Sequence, residues 1–215
     1  MNQPLIFALA RGRLLDETVP LLTELGIEPT ESLTGSRKLM FETEHPGVKL
    51  LVLRAADVPP YVERGGAHLG IAGKDVLLEY GSDMLCEPVD LQLSKCRLMT
   101  AMKKDIELPA TGRIRVATKY VNVARRHFAS QGRQIDPIKL YGAMELAPLV
   151  GLVDVIVDVV DTGNTLKANG LEPRDLIDYS SARLIVSRVA MKTRHQHIFP
   201  MIEKLNKWAK SRDAS

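Results

Sequence analysis

The segment DVIVDVVDTGNTL, Asp154 to Leu166, constrains the fold of this chain more than any other. Val155, Ile156, Val157, Val159 and Val160 fit a pleated surface, and an apolar run of this length suits a strand covered on both faces, as in a parallel sheet under helices. Asp158 interrupts the run. A carboxylate buried without a partner is costly, so Asp158 is expected near the carboxyl end of the strand, where a partner or a ligand can reach it.

Beyond the strand, Thr162 and Thr165 offer hydroxyls, Gly163 permits close backbone approach, and Leu166, Lys167 and Ala168 can continue as a short helix. Backbone N–H groups at such a helix start, flanked by two threonines, form a cup suited to phosphate. The same residue types also cap ordinary helices. The acidic residues just upstream favour the binding reading.

Composition narrows the remaining classes. A chain of 215 residues, 45% hydrophobic and 26% charged, can bury a real core as one domain or two small ones. The net charge of +3, from 29 basic and 26 acidic residues, is too balanced to argue for nucleic acid. Cys86 and Cys96 form no CxxC and no disulfide framework, which suggests a reducing, cytoplasmic setting. The opening MNQPLIFALARGR has a short apolar run and no positive start, so it reads as a first strand rather than a signal peptide or a membrane span.

Along the chain, strands and helices alternate. Strands are expected at 5–10, 49–54, 68–72, 98–102, 114–118, 138–141, 155–160 and 183–192. Helices are expected from Leu14 to a stop at Gly26, and over 57–64, 74–79, 121–130 and 143–150. Pro20 implies either a kink in the first helix or a late start capped by Asp16 or Thr18. The closing helix carries Ile198, Met201, Ile202, Leu205, Trp208 and Ala209 on one stripe, and Lys204, Lys207, Lys210 and Arg212 on a solvated side. The alternation argues for α/β layers, and two such blocks without a linker suggest two lobes with a cleft. Residues 1–94 and 184–215 would form a discontinuous first lobe, and 95–183 the second.

In open α/β sheets ligands gather at the carboxyl ends of strands, and here those ends carry Arg11, Gly12, Arg13, Arg54, Asp75, Tyr120 and Asp161 to Thr165. Familiar nucleotide motifs do not account for them. GIAGKD, Gly70 to Asp75, matches a Walker loop only in its Gly-Lys pair, and no GxGxxG follows a strand. His195 and His197 are two apart and lack metal-ligand partners, and no GxSxG elbow is present.

Taken together, the residues resemble the ATP phosphoribosyltransferase family. Its signature, a Glu, a Gly, Asp-hydrophobic and then Ser/Thr-Gly-x-Thr, is met by Glu145, Gly151, Asp158, Val159, Thr162, Gly163, Thr165 and Leu166. ALARGRL (8–14), LRAADVPPYVERGGAHLGIAGKD (53–75) and VATKYVN (116–122) are similar to three further turns of the family. Arg11 stands where a Lys is usual and Val121 where a Pro is usual, departures that alter positioning without removing a chemical group.

The resemblance implies a two-lobed α/β chain of periplasmic-binding-protein-like type II architecture with its active site in the inter-lobe cleft. It implies transfer of phosphoribosyl from phosphoribosyl pyrophosphate to N1 of ATP, the first step of histidine biosynthesis, with Mg²⁺ carried by the substrate rather than by protein ligands. Glu145, Asp158, Asp161, Thr162, Gly163, Asn164 and Thr165 would bind phosphoribosyl pyrophosphate. Arg11, Gly12, Arg13, Arg54, Asp75 and Tyr120 would bind ATP, and Arg13, Arg54 and Asp158 would act in catalysis. The chain ends after its last helix, so the short form is implied. That form works in a hetero-oligomer with a regulatory subunit similar to histidyl-tRNA synthetase, with a dimer of catalytic chains as the alternative. No nucleic-acid or membrane partner is expected. Two other readings are a salvage phosphoribosyltransferase, which shares the acidic pair and the Thr-Gly-x-Thr loop, and a non-catalytic anion-binding module.

Overall fold

The computed structural model describes residues 4–108 and 111–213; the first three residues of the opening segment lie outside them. The chain divides into two compact units, one of residues 1–94 and 181–215 and one of residues 95–180.

The first unit begins with β1 (Leu5–Ala10), α1 (Arg13–Leu25), β2 (Met40–Glu42), β3 (Val48–Leu53), α2 (Val58–Glu63), β4 (Leu69–Gly73), α3 (Lys74–Tyr80) and β5 (Leu85–Asp90). The second contains β6 (Cys96–Lys103), β7 (Ile114–Thr118), α4 (Val121–Ser130), β8 (Ile135–Lys139), α5 (Leu146–Leu149), β9 (Val155–Val160), α6 (Asn164–Ala168) and β10 (Leu171–Ser180). The chain then returns to the first unit as β11 (Ala182–Ser187), α7 (Arg188–Thr193) and α8 (His195–Asp213).

The sheet of the first unit has the order β2-β3-β1-β4-β11-β5, in which β3, β1 and β4 are parallel and β2 and β11 run antiparallel to their neighbours. Strand alternation divides the side chains between the two faces, and the alanines of β1 and β4 fall on one of them beside Leu51, Leu53 and Ile185. Phe7, Leu9, Leu50, Val52, Leu69 and Ile71 join the core that α1 and α8 cover, and Ile198, Leu205 and Ala209 of α8 are buried in it. Ala8, Ala10 and Ala72 occupy the face under α2, whose Val58 and Val62 are fully buried. The helix comes so close there that a Cβ on Gly70 would lie 2.9 Å from Val58 Cγ1 and 3.1 Å from the Ala8 carbonyl.

The second sheet has the order β10-β6-β9-β7-β8. β9 is its central strand, as its apolar run requires, but the sheet is mixed: β9 is parallel to β7 and antiparallel to β6. Ile156 and Val160 point into the core that holds Met144, Ala147 and Leu166. Asp158, midway between them in the alternation, points to that same face.

Several expected elements differ from those observed. α1 starts early, at Arg13, and runs through Pro20. The carbonyl of Asp16, which loses its helical donor at Pro20, lies on the exposed side where water can take it. Thr18 is no cap; its hydroxyl donates to the Leu14 carbonyl at 2.6 Å. The helix expected over 143–150 is a single turn, because Ala143 holds a left-handed φ of 50° that an α-helix excludes. The strand expected over 138–141 lies earlier, at Ile135–Lys139, an edge position that tolerates Pro137. The last strand stops at Ser187, whose Oγ accepts from the Ala190 N–H at 3.0 Å and starts α7.

Candidate functional site

Strand register gathers the candidate residues at the carboxyl edge of each sheet. In the second unit Thr118 pairs with Val157 across the parallel β7 and β9 ladder, so Lys119 and Asp158 follow side by side. The turn after β7 is pinned by the Thr118 hydroxyl, which donates to the Val157 carbonyl at 2.7 Å and accepts from the Tyr120 N–H at 2.8 Å. β8 ends at the same edge, opposite Thr118, and leads to Glu145 at the start of α5.

After β9 the backbone turns sharply. Gly163 caps α6 at a φ of 80°, a conformation that costs glycine little and other residues more. The Asn164 N–H donates to Thr162 Oγ1 at 3.4 Å, and Arg97 of β6 donates to the Asp161 carbonyl, also at 3.4 Å. The result is a pocket of about 160 Å³ lined by Glu145, Asp158, Asp161, Thr162, Gly163 and Thr165, among others. Asn164 begins α6 and is not among the lining residues.

The Asp158 side chain is only 23% exposed, and its Oδ1 lies 3.6 Å from Lys119 Nζ. Oδ1 also accepts the Val159 N–H at 2.8 Å. Burial pushes the carboxyl above its ordinary range, with Glu145 adding to the rise, and Lys119 and the Val159 N–H oppose it. The pocket lining contains three carboxylates and no cation, so Lys119 supplies local charge balance. It also lies 4.9 Å from the centre of the Tyr120 ring. The local sequence around Lys119 carries no sign of a role, since its neighbour across the ladder is visible only once β7 and β9 are paired. Tyr120 itself is 2% exposed, so its ring is buried.

In the first unit β1, β3 and β4 end together. Ala10 pairs with Leu53, the Arg11 N–H donates to the Leu53 carbonyl at 2.8 Å, and Arg54 follows directly. Arg11, Gly12, Arg13 and Arg54 are exposed, and Asp75 stands half-buried in the first turn of α3. Gly12 turns the chain into α1 at a φ of 91°. Arg13 Nε lies 3.0 Å from Glu17 Oε1, and the other oxygen of Glu17 accepts from the Ser94 N–H at 2.7 Å and its hydroxyl at 2.9 Å.

Each unit's edge has its own binding chemistry, and the pocket of the second unit can hold a sugar phosphate. Carboxylates accept from sugar hydroxyls, a glycine turn with two threonines offers donors to a phosphate, and arginines at parallel strand ends suit a further polyanion.

Comparison with known proteins matches residues 54–207 to the family model HisG, described as ATP phosphoribosyltransferase. A protein of Marinobacter nauticus named ATP phosphoribosyltransferase is 61% identical over 206 residues, 96% of each chain. One of the same name from Alcanivorax borkumensis is 57% identical over 215 residues, the whole of both chains. Among solved structures, a chain of the ATP phosphoribosyl transferase (HisG:HisZ) complex from Thermotoga maritima superposes with a TM-score of 0.86 at 32% identity, covering 96% of this chain and 99% of that one.

Proposed function

This chain belongs to the ATP phosphoribosyltransferase family, with its type II periplasmic-binding-protein-like fold, and we propose how its own residues carry out the transfer of phosphoribosyl from phosphoribosyl pyrophosphate to N1 of ATP. The reaction is a pentosyl transfer and the first step of histidine biosynthesis, and a separate HisZ chain is the regulatory partner, in a hetero-oligomer.

The observation that carries the residue assignment is the pocket shared by Glu145, Asp158 and the Asp161 to Thr165 turn. The turn receives the 5-phosphate, with Thr162 and Thr165 as hydroxyl donors and Gly163 allowing close approach. Asp158 and Glu145 accept from the ribose hydroxyls and so orient the sugar. As the bond at C1 breaks, the sugar becomes cation-like and the leaving pyrophosphate gains charge. The buried carboxylate of Asp158 favours the first change, and the arginines, Arg54, Arg13 and Arg11, stabilise the second. Gly12, Asp75 and Tyr120 complete the ATP side in this reading, Tyr120 by supporting the turn after β7 rather than through an exposed ring. No general base is needed, because the adenine nitrogen already carries a lone pair and positioning supplies much of the rate.

Members of the family use a divalent metal. Glu145, Asp158 and Asp161 offer the hard oxygens such an ion prefers, but among the described residues no three His, Cys, Asp or Glu side chains group into a site of their own. We propose that Mg²⁺ arrives on the diphosphate, where it would neutralise charge on the leaving group. We further propose a cytoplasmic setting, as suits a biosynthetic enzyme of this family.

The test is incubation with ATP, phosphoribosyl pyrophosphate and Mg²⁺, with and without the regulatory chain, followed by mass detection of phosphoribosyl-ATP. Absence of the adduct in both mixtures would overturn the reading. Free purines and pyrimidines offered in place of ATP should give no product.

A further inference from the structure

The edge of the first sheet opposite Arg11 and Arg54 holds a second cavity. β4 begins just after His68, and β11, antiparallel to β4, ends at Ser187, so both residues stand at the amino-terminal edge of the parallel strands. There a cavity of about 290 Å³ is lined by Glu63, Arg64, His68, Ser187, Thr193 and Arg194, among others.

The imidazole in this cavity has a fixed orientation. The Ile6 N–H donates to His68 Nδ1 at 3.0 Å, while the His68 N–H donates to the Ile6 carbonyl at 2.9 Å. Nδ1 must therefore be an acceptor, which places the ring proton on Nε2 and makes that nitrogen a donor. Protonating Nδ1 would set two N–H groups against each other. Burial, and then Arg194, lower the pKa of His68 and keep the ring in this neutral form.

The acceptors around the cavity are already engaged. The Glu63 carboxylate accepts from the Tyr80 and Ser82 hydroxyls. Ser187 Oγ accepts from the Ala190 N–H, and the Thr193 hydroxyl donates to the Val189 carbonyl at 3.0 Å. His68, Arg64 and Arg194 contribute donors, and two of the three carry a permanent charge, Arg64 standing with its Nε 3.8 Å from Glu63 Oε2.

We propose that this cavity is a second anion site, taking a small oxyanion of the carboxylate or phosphate class between the Arg64 and Arg194 guanidiniums and the His68 Nε2–H. A fixed neutral donor beside two guanidiniums matches the lone pairs of two or three oxygens on one centre. None of these residues has a part in the transfer described above, so the site stands or falls independently of it.

The experiment follows His68 Nε2 by long-range ¹H–¹⁵N correlation in the full chain, titrated with inorganic phosphate in one arm and acetate in the other. A saturable shift in either arm supports the site, and the arm that saturates identifies the class. Arg64→Gln and Arg194→Gln should each weaken that response roughly tenfold or more, the loss expected for one charge-assisted hydrogen bond. The Arg64 side chain is 84% exposed, so its replacement leaves packing intact. A His68 signal that stays still in both arms, or that responds equally in both variants and the parent, overturns the proposal.

Discussion

Lys119 Nζ stands 3.6 Å from Asp158 Oδ1, each at the carboxyl edge of its strand. The pair sets the charge state of the pocket, because burial and Glu145 drive the Asp158 carboxyl toward protonation and Lys119 is the main opposing charge. Lys119→Met should therefore move the acid limb of kcat/KM for phosphoribosyl pyrophosphate to higher pH, and Lys119→Arg should move it back. A pH–rate profile of the three proteins checks this; a limb unmoved in the Met variant would leave Lys119 a packing residue.

Asp158→Asn should separate stability from activity. Turnover should fall at least roughly tenfold, since a transition-state interaction of a kcal/mol or two is lost. The folded-state pKa of Asp158 lies above its unfolded value, so the folded chain binds the proton more tightly and the ionised side chain works against folding at neutral pH. The Asn variant should be at least as stable as the parent near pH 7. Its advantage should shrink as pH falls through the raised pKa and the parent carboxyl becomes neutral. Thermal melts at several pH values give the answer, and a variant that is both active and less stable would contradict both halves.

Thr162→Ala should raise KM for phosphoribosyl pyrophosphate more than KM for ATP, by several-fold if one hydroxyl contact to phosphate is lost. Thr162 is exposed beside Gly163, and its hydroxyl carries one long hydrogen bond within the loop, so folding should be little affected. Equal changes in both constants would argue against the turn as the phosphate subsite.

What could be read in the sequence follows from how local its physical causes are. Val155 to Val160 and Val121 to Ser130 announce themselves through residue type and period, and both elements occupy those bounds. Leu171 to Ser180 does not: LEPRDLIDYS contains a proline and little alternation, and it forms an edge strand with two register shifts against β6. Leu85 to Asp90 was hidden likewise by Glu87 and Pro88. Asp158 and Asp161 to Thr165 lie within one stretch, so their shared pocket needed only a strand and a turn. Lys119 joins them through strand pairing across some forty positions of chain, which no local pattern encodes.

Gly70→Ala tests the close approach of α2 to β1 and β4. The added Cβ would lie 2.9 Å from Val58 Cγ1, 3.0 Å from Val62 Cγ2 and 3.1 Å from the Ala8 carbonyl. Two of these neighbours belong to fully buried side chains and the third to a sheet backbone, so none can yield cheaply. The variant should lose about 1–3 kcal/mol by chemical denaturation. Arg11 and Arg54 keep their places at the far ends of β1 and β3, so kcat per folded molecule should stay close to that of the parent.

The Glu17 carboxylate offers a stability test with the opposite sign to Asp158. Burial pushes its pKa up, but hydrogen bonds from the Ser94 hydroxyl and N–H, with Arg13 behind them, more than reverse this and leave it below the ordinary value. A depressed folded pKa contributes stability above the unfolded value and loses it as pH falls through the folded one. Glu17→Gln should therefore be less stable than the parent near pH 7, with the gap closing as pH drops below the usual carboxylate range. The same change removes the charge from the 3.0 Å partner of Arg13, so KM for ATP should shift alongside stability if Arg13 serves that substrate. A stability gap that is flat across pH would mean that the hydrogen bonds to Ser94 hold equally well without the charge.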